Sequence, residues 1–207
     1  MVGTHEKERK QRMEEQGIFI ERILSNENMN RAYKQVKKNK GAAGIDGMEC
    51  ADLLSHLKVN GQQLRESIRN QSYKPMPVKR VEIPKADGSK RKLGIPTVTD
   101  RVVQQAATQV LTPIYERKFH ENSYGFRPGK SAQKAVLKAV KYMNEGYNWV
   151  VDIDLEKFFD TVEHDKLISV LNKEIKDGKI LSLIRKFLVS GVMVGEQIEE
   201  TEIGTPQ

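Results

Sequence analysis

The chain has 207 residues, 38% of them apolar and 30% charged, and a net charge of +7, a length that holds one or two domains. No apolar run reaches the roughly 18 residues of a membrane span, and the charged N-terminus lacks the apolar segment of a secretory signal. Cys50 is the only cysteine, which excludes an internal disulfide and multi-cysteine zinc sites and favours a reducing cytoplasm.

The first 73 residues have the pattern of helices interrupted by one loop. We expect helices over 5–16, over 18–24, from a cap at Asn26 or Asn28 to about Asn39, and over 49–58 and 60–71. The loop is Gly41–Gly47, since its three glycines break the helical pattern. The lysines before it, Lys34, Lys37, Lys38 and Lys40, could contact RNA or form an ordinary solvated helix face.

The clearest strand pattern is a hairpin of Val78–Ile83 and Lys90–Ile95, with Asp87-Gly88 supplying the positive φ angles of a tight turn. The excess positive charge is concentrated around it, because residues 74–101 hold eight basic and three acidic residues. Lys85 and Arg91 fall on opposite arms of the turn. In these positions the planar guanidinium of Arg91 and the ammonium of Lys85 could bind a triphosphate together. The alternative is a solvated turn, as in most lysine-rich hairpins.

Helical and strand patterns alternate through the rest of the chain. We expect helices over Val98–Phe119, Ser131–Asn144, 165–176 and 179–190, a strand over Trp149–Leu155, and a last hairpin of Val192–Val194 with Gln197–Ile203. Pro113 should bend or break the first of these helices. Two polar side chains are expected to be structural: Arg127 bridging a loop to a helix, and His164 capping or packing.

The strand pattern at 149–155 carries two carboxylates, Asp152 and Asp154, which are two residues apart and so share one face of a strand. Hard oxygen ligands on one face suit Mg²⁺. The alternative is a strand edge with one acid in an ion pair and the other solvated. Phe158 and Phe159 follow, and the ring of either could form the base of a nucleotide-binding site or belong to the core.

Six motifs in order resemble one family: Gly41–Gly47, Arg91–Pro96, Asp100–Gln105, Tyr124–Gly129, Asp154–Asp160 and Gly204–Gln207. The chain is similar to the N-terminal part of a bacterial group II intron-encoded protein, which is a reverse transcriptase and maturase. The resemblance implies an α+β fold, a right-hand polymerase with fingers and the start of a palm. It places a helical N-terminal extension with the first finger helices at 1–73, fingers at 74–147 and a partial palm at 148–207.

The resemblance also implies roles for individual residues. Asp154 would be the catalytic aspartate, binding two Mg²⁺ ions together with the carbonyl of Leu155, and Asp152 would be an accessory acid. The deoxynucleoside triphosphate would be held by Lys85 and Arg91 at the triphosphate, by Phe159 under the sugar with Phe158 as its rival, and by Gln207 near the primer end. Gly41, Gly44 and Ile45 would lie in a loop near the RNA template.

The implied parent protein extends a DNA primer on an RNA template and also binds group II intron RNA to aid splicing. The second catalytic element of the family, Tyr/Phe-x-Asp-Asp, is missing, because no two aspartates are adjacent in these 207 residues. We therefore expect an incomplete two-ion site and no polymerisation by this chain alone. Two alternatives stay open: an RNA-binding splicing module without chemistry, and a retron or diversity-generating reverse transcriptase. We expect a bacterial cytoplasmic location and no membrane partner, and a homodimer through exposed palm surfaces stays open.

Overall fold

The structure, a computed structural model, describes residues 18–86 and 88–206. Its helices are α1 (residues 18–24), α2 (Asn26–Asn39), α3 (Leu53–Arg69), α4 (Val98–Glu116), α5 (Ala132–Asn144), α6 (His164–Asn172) and α7 (Gly178–Leu188). Its strands are β1 (Val78–Pro84), β2 (Lys90–Ile95), β3 (Val192–Val194) and β4 (Gln197–Glu199). The mixture of helix and sheet confirms the expected α+β class, while the helix expected over 5–16 and residue Gln207 lie outside the described part. None of the helices within the described ranges is long and apolar enough to cross a membrane.

The chain divides into two compact units. The first contains the described residues up to Val110 together with those from Lys157 onward, and the second is Leu111–Glu156. Every buried apolar residue within the described ranges belongs to the first unit. The hydrophobic effect therefore stabilises the first unit far more than the second.

The core of the first unit follows from helical periodicity. In α4 the buried apolar side chains recur at helical spacing, and they are Val98, Val102, Val103, Ala106 and Val110. The same spacing buries Ala32 and Val36 of α2 and Ile180 and Leu183 of α7. Asp177 ties α1 to α7, because its carboxylate accepts from the backbone N–H groups of Ile20 (3.2 Å) and Lys179 (3.0 Å).

The four strands form one sheet in the order β2-β1-β3-β4. The expected hairpin is present: β1 and β2 are antiparallel, with Ile83 opposite Arg91. β1 also pairs in parallel with β3 through Val78 and Val192, and β3 pairs antiparallel with β4. The sheet therefore joins residues from the middle of the chain to residues near its end.

Several expected helix boundaries need correction. The two helices expected at 49–58 and 60–71 are one continuous helix, α3, because Gly61 is tolerated in its interior while Leu53, Leu64 and Ile68 are buried along one side. The cap of α2 is Ser25, whose hydroxyl accepts from the N–H of Asn28, and neither expected asparagine caps it. Pro113 lies inside α4 without ending it.

The expected strand at Trp149–Leu155 is wrong. These residues form no regular strand, and most of their apolar side chains are open to solvent, with Trp149 96% and Val150 88% exposed. A strand needs a neighbour for its backbone hydrogen bonds, and none of the strands in the described ranges pairs with this segment. The apolar pattern of this segment therefore does not lead to a strand, because the part of the chain that the structure describes offers no strand to pair with it.

Candidate active site and nucleic-acid interface

The basic hairpin places two of the expected triphosphate-binding side chains on either side of its turn. Lys85 donates its backbone N–H to the carbonyl of Ser89 (2.7 Å), and Gly88 at the turn has a φ of +80°. Arg91 is the second residue of the return strand β2, and both side chains are exposed. Lys90, between them, forms an exposed ion pair with Glu82 (2.7 Å), which lowers the pKa of that carboxyl. The hairpin thus presents Lys85 and Arg91 to solvent, as a phosphate-binding role requires.

Asp154 and Leu155 lie in the second unit, in a segment without regular secondary structure that is exposed throughout. Within the described ranges, no group of three or more His, Cys, Asp or Glu side chains is placed to hold a metal ion. Mg²⁺ usually takes one or two protein carboxylates and completes its shell with water and phosphate oxygens. One carboxylate and one carbonyl therefore fit part of a magnesium site, one that needs further ligands.

The two candidate sugar-contacting aromatics lie in the first unit, in a short 3-10 turn, Phe158–Asp160. Their rings meet edge to face with centroids 5.4 Å apart. Both rings are about half exposed, Phe158 at 50% and Phe159 at 56%. Neither belongs to the core, and this similar exposure leaves both as candidates for the sugar contact.

The segment around Gly204 holds this turn in place. The N–H of Thr205 donates to the carbonyl of Phe159 (2.8 Å), and the N–H of Gly204 donates to the carbonyl of Val162 (2.8 Å). A Cβ at Gly204 would lie 2.7 Å from the carbonyl oxygen of Asp160, so only glycine fits. His164 is 6% exposed and hydrogen-bonds the Gly204 carbonyl through Nε2 at 2.6 Å, which agrees with the structural role expected for it.

The lysines expected to contact RNA lie at the end of α2. Lys34, Lys37 and Lys38 are three and four residues apart and therefore lie on one face of the helix, and all are exposed. Lys40 is the C-cap, in the left-handed conformation with a φ of +47°. The chain then enters the Gly41–Gly47 loop, so positive charge leads directly into it.

The Gly41–Gly47 loop packs on the start of α4. The guanidinium of Arg101 lies over Gly41 and donates to the carbonyl of Ala42 at 2.6 Å. Gly44 is buried against the backbone of Thr97, where a Cβ would come within 2.6 Å of the Thr97 Cα. Ile45 is half-buried beside it. Gly44 is therefore required by its close approach to backbone, and a side chain at Gly41 would displace the Arg101 guanidinium.

A buried polar cluster beneath this loop was missed by the sequence analysis. Asp100 is 2% exposed, and its carboxylate accepts from the hydroxyls of Tyr73 and Thr97 and from the N–H of Met76. Burial raises the pKa of Asp100, and burial beside this carboxylate raises the pKa of Tyr73. The signal was present in the sequence, since Thr97-x-x-Asp100 has the spacing of a helix capping box.

Arg127 has the structural role expected for it. Its guanidinium is largely buried and forms an ion pair with Glu116 at 2.7 Å. It also donates to the carbonyls of His120 (2.6 Å) and Ser123 (2.9 Å). The arginine fixes the 120–127 loop to the end of α4 within the second unit.

Comparison with known proteins gives one family match. A family model described as reverse transcriptase (RNA-dependent DNA polymerase) matches residues 83–207. The match covers more than half of the chain. It includes β2 with Arg91, the acidic segment with Asp154 and the aromatic turn.

Three relatives cover different shares of the chain. Group II intron-encoded protein LtrA of Lactococcus lactis subsp. cremoris is 39% identical over 178 residues, which are 85% of this chain and 29% of LtrA. Protein YkfC of Escherichia coli (strain K12) is 36% identical over 175 residues, 82% of this chain and 46% of YkfC. Nuclear intron maturase 2, mitochondrial, of Arabidopsis thaliana is 37% identical over 103 residues, 50% of this chain and 14% of that protein. The chain thus spans less than half the length of each of these relatives.

Among solved structures, a chain of the partial Cas6-RT-Cas1–Cas2 complex has a similar fold. Its TM-score is 0.59, and the match covers 91% of this chain and 31% of that chain. The two sequences are 24% identical, so the likeness concerns the fold.

Proposed function

Because the chain belongs to the reverse transcriptase family, we propose that it is the N-terminal part of an RNA-directed DNA polymerase encoded by a group II intron. The parent protein also binds intron RNA as a maturase. The observation that carries this proposal is the 39% identity to a group II intron-encoded protein over 85% of the chain. The same identity favours the intron class over a retron or diversity-generating enzyme.

In this proposal the basic hairpin binds the triphosphate of an incoming deoxynucleotide. The planar guanidinium of Arg91 can pair with two phosphate oxygens at once, and Lys85 adds a point charge across the turn. Phe159, with Phe158 as the alternative, contacts the sugar, and the resemblance assigns Gln207, which is outside the described residues, to the primer end. Aligned binding of nucleotide and primer is the main contribution that such a site makes to phosphoryl transfer.

Asp154 and the carbonyl of Leu155 are the groups we assign to Mg²⁺ in the parent protein. When bound, such ions neutralise charge on the phosphates and acidify the attacking hydroxyl. The 207 residues contain no adjacent pair of aspartates, so the partner carboxylates would come from elsewhere in a longer protein. We therefore propose that this chain alone does not polymerise.

RNA contact is assigned to the N-terminal part. Lys34, Lys37, Lys38 and Lys40 bind phosphates of the intron or template, and the Gly41–Gly47 loop lies against the template strand. The exposed lysine face and its direct continuation into the loop support this assignment. The boundaries proposed from the sequence are 1–73 for this RNA-binding extension with the first finger helices, 74–147 for the fingers and 148–207 for the partial palm. A bacterial cytoplasmic location is part of the same proposal and fits the single cysteine.

A two-armed experiment tests the proposal. In a longer protein that contains this chain and the second catalytic element, Asp154→Ala should abolish cDNA synthesis and leave intron RNA affinity unchanged. Replacing Lys34, Lys37, Lys38 and Lys40 with glutamine should weaken RNA binding, because phosphate contacts dominate affinity. The same replacement should leave cDNA synthesis intact. Primer extension and RNA binding are measured at one fixed salt concentration.

The 207-residue chain is the control in the primer-extension assay and should yield no cDNA. Robust synthesis by this chain would refute the incomplete site. An Asp154→Ala protein that still makes cDNA would remove Asp154 from its catalytic role. If RNA affinity is unchanged after the four lysines are replaced, the lysine face of α2 does not bind RNA and is an ordinary solvated surface.

A further inference from the structure

We propose that Arg101 is a positioning residue that fixes the Gly41–Gly47 loop for RNA contact, and that Thr97 and Asp100 form the platform on which the loop rests. The inference rests on the proposed RNA-binding function of this loop. It assigns a role to a side chain that lies on α4, away from the lysine face.

The first anchor of the loop is the Arg101 guanidinium. Its Nη1 occupies the space where a Cβ of residue 41 would stand, at 1.9 Å from that position, so the arginine can lie across the backbone only because residue 41 is glycine. Its Nη2 donates to the Ala42 carbonyl at 2.6 Å. The Nε of Arg101 is buried and has no hydrogen-bond partner within the described ranges. The arginine thus gives up hydration of one nitrogen to hold this loop.

The second anchor is the contact between Gly44 and Thr97. Gly44 is buried, and a Cβ there would lie 2.6 Å from the Cα and 2.7 Å from the N of Thr97. The Thr97 hydroxyl donates to Asp100 at 2.7 Å and accepts from the Asp100 N–H at 3.1 Å. Asp100 is held in turn by Tyr73 and by the N–H of Met76. The platform is therefore held by several hydrogen bonds beneath the residue on which the loop rests.

The anchored half of the loop fixes the other half. The N–H of Gly47 donates to the carbonyl of Gly44 at 3.3 Å, which closes a turn over Ile45 and Asp46. Asp46 and Gly47 are exposed, and the preceding Lys40 is exposed as well. A backbone with restricted motion loses less conformational entropy when RNA binds. Arg101 therefore acts on RNA affinity through the loop, and its charge does not need to touch the RNA.

The test uses the 207-residue chain and a short single-stranded RNA at fixed salt. Arg101→Lys retains the charge but cannot lie flat across Gly41, so it should raise the Kd by about tenfold, the scale of one charge-assisted hydrogen bond. Hydrogen exchange of residues 41–48 should become faster while exchange in α2 is unchanged. Gly44→Ala, which changes no charge, should give both effects.

Two matched variants serve as controls. Arg117→Gln removes an exposed positive charge just after α4, and Gly61→Ala adds a methyl where no atom lies within 4 Å of the new Cβ. Neither should change the exchange of residues 41–48. If Arg101→Lys binds RNA as the unaltered chain does, the positioning role is overturned while the RNA-binding function stands. If the unaltered chain does not bind RNA, the proposed function of the loop fails and the inference fails with it.

Discussion

Asp100 is a carboxylate in the first turn of α4 with 2% exposure and hydrogen-bond donors from Tyr73, Thr97 and Met76. A buried carboxylate is costly unless its oxygens are hydrogen-bonded. Here burial outweighs the hydrogen bonds, so the pKa of Asp100 is raised above its ordinary value of 3.8. The folded chain therefore keeps this proton to a higher pH than the unfolded chain.

This shift gives a prediction for the pH dependence of stability. Asp100 offers two oxygens to the donors from Tyr73, Thr97 and Met76, and Asp100→Asn leaves them only one. We expect the substitution to lower the free energy of unfolding by about 1–3 kcal/mol at mildly acidic pH. Because the folded pKa is raised, the contribution of Asp100 is complete below the unfolded pKa and decreases as the pH rises through the folded pKa. The difference between the two proteins should therefore shrink from pH 4 toward neutrality. Urea unfolding of both proteins across that range measures it, and a difference that grows with pH would contradict the assignment.

At the same scale, some site residues could be predicted from the sequence and others could not. Lys85 and Arg91 stand out because two cations beside a recognisable turn are a local pattern. Arg101 gave no such signal, since its partners Gly41 and Ala42 are about 60 residues earlier in the chain. A contact that depends on the packing of distant segments leaves no mark in local periodicity, and only the structure shows why Gly41 has no side chain.

At the scale of secondary-structure elements, α3 contains a glycine that nothing in its surroundings requires. Gly61 lies in the helix interior, and a Cβ there would meet no atom within 4 Å. Gly61→Ala should raise the free energy of unfolding by about 0.5–1 kcal/mol, because alanine restricts the unfolded chain and favours helix. Thermal or urea unfolding measures the change. Gly44→Ala is the contrasting variant and should destabilise the chain, whereas a loss of stability in Gly61→Ala would indicate a contact that the structure does not show.

Elements whose conformation is set by local sequence signals were predicted well. The element that would need a distant strand as its partner was not. α4 and the β1–β2 hairpin carry enough local signal, in helical spacing and in a glycine turn, to be placed from sequence. The 149–155 segment has strand-like alternation, but its apolar side chains are exposed and it pairs with no strand in the described ranges. Periodicity indicates which conformation a segment could take, and pairing decides whether it does.

At the scale of the whole molecule, stability is divided unequally between the two units. α5 has no buried residue, and Leu137 and Met143 on it are 68% and 64% exposed. α3, a helix of the first unit, has three buried residues. Regions with few buried apolar contacts open at low free energy. Amide protection in α5 should therefore be at least about tenfold lower than in α3, as measured by hydrogen exchange with mass spectrometry. Equal protection in the two helices would mean that α5 is covered in solution.

The family itself was predictable from the sequence, and the match to the reverse transcriptase model over residues 83–207 confirms it. Six short motifs in a fixed order identified it where each alone would have been weak. The division into two units was not predicted. In the sequence, residues 111–156 form the second unit, and the segments before and after them form the first. This division depends on the parallel pairing of β1 with β3, which no local pattern reveals.

That discontinuous first unit has a consequence for how the chain is made. The hydrogen bond from Ile20 to Asp177 joins residues 157 positions apart. At the usual rate of protein synthesis, roughly 8 to 30 s separate the appearance of these two residues on the ribosome. α1 and β1 are therefore made well before Asp177 and β3, the partners that complete their backbone hydrogen bonds. The time needed to translate the second unit, which lies between these partners in the chain, adds to the time for which α1 and β1 lack them.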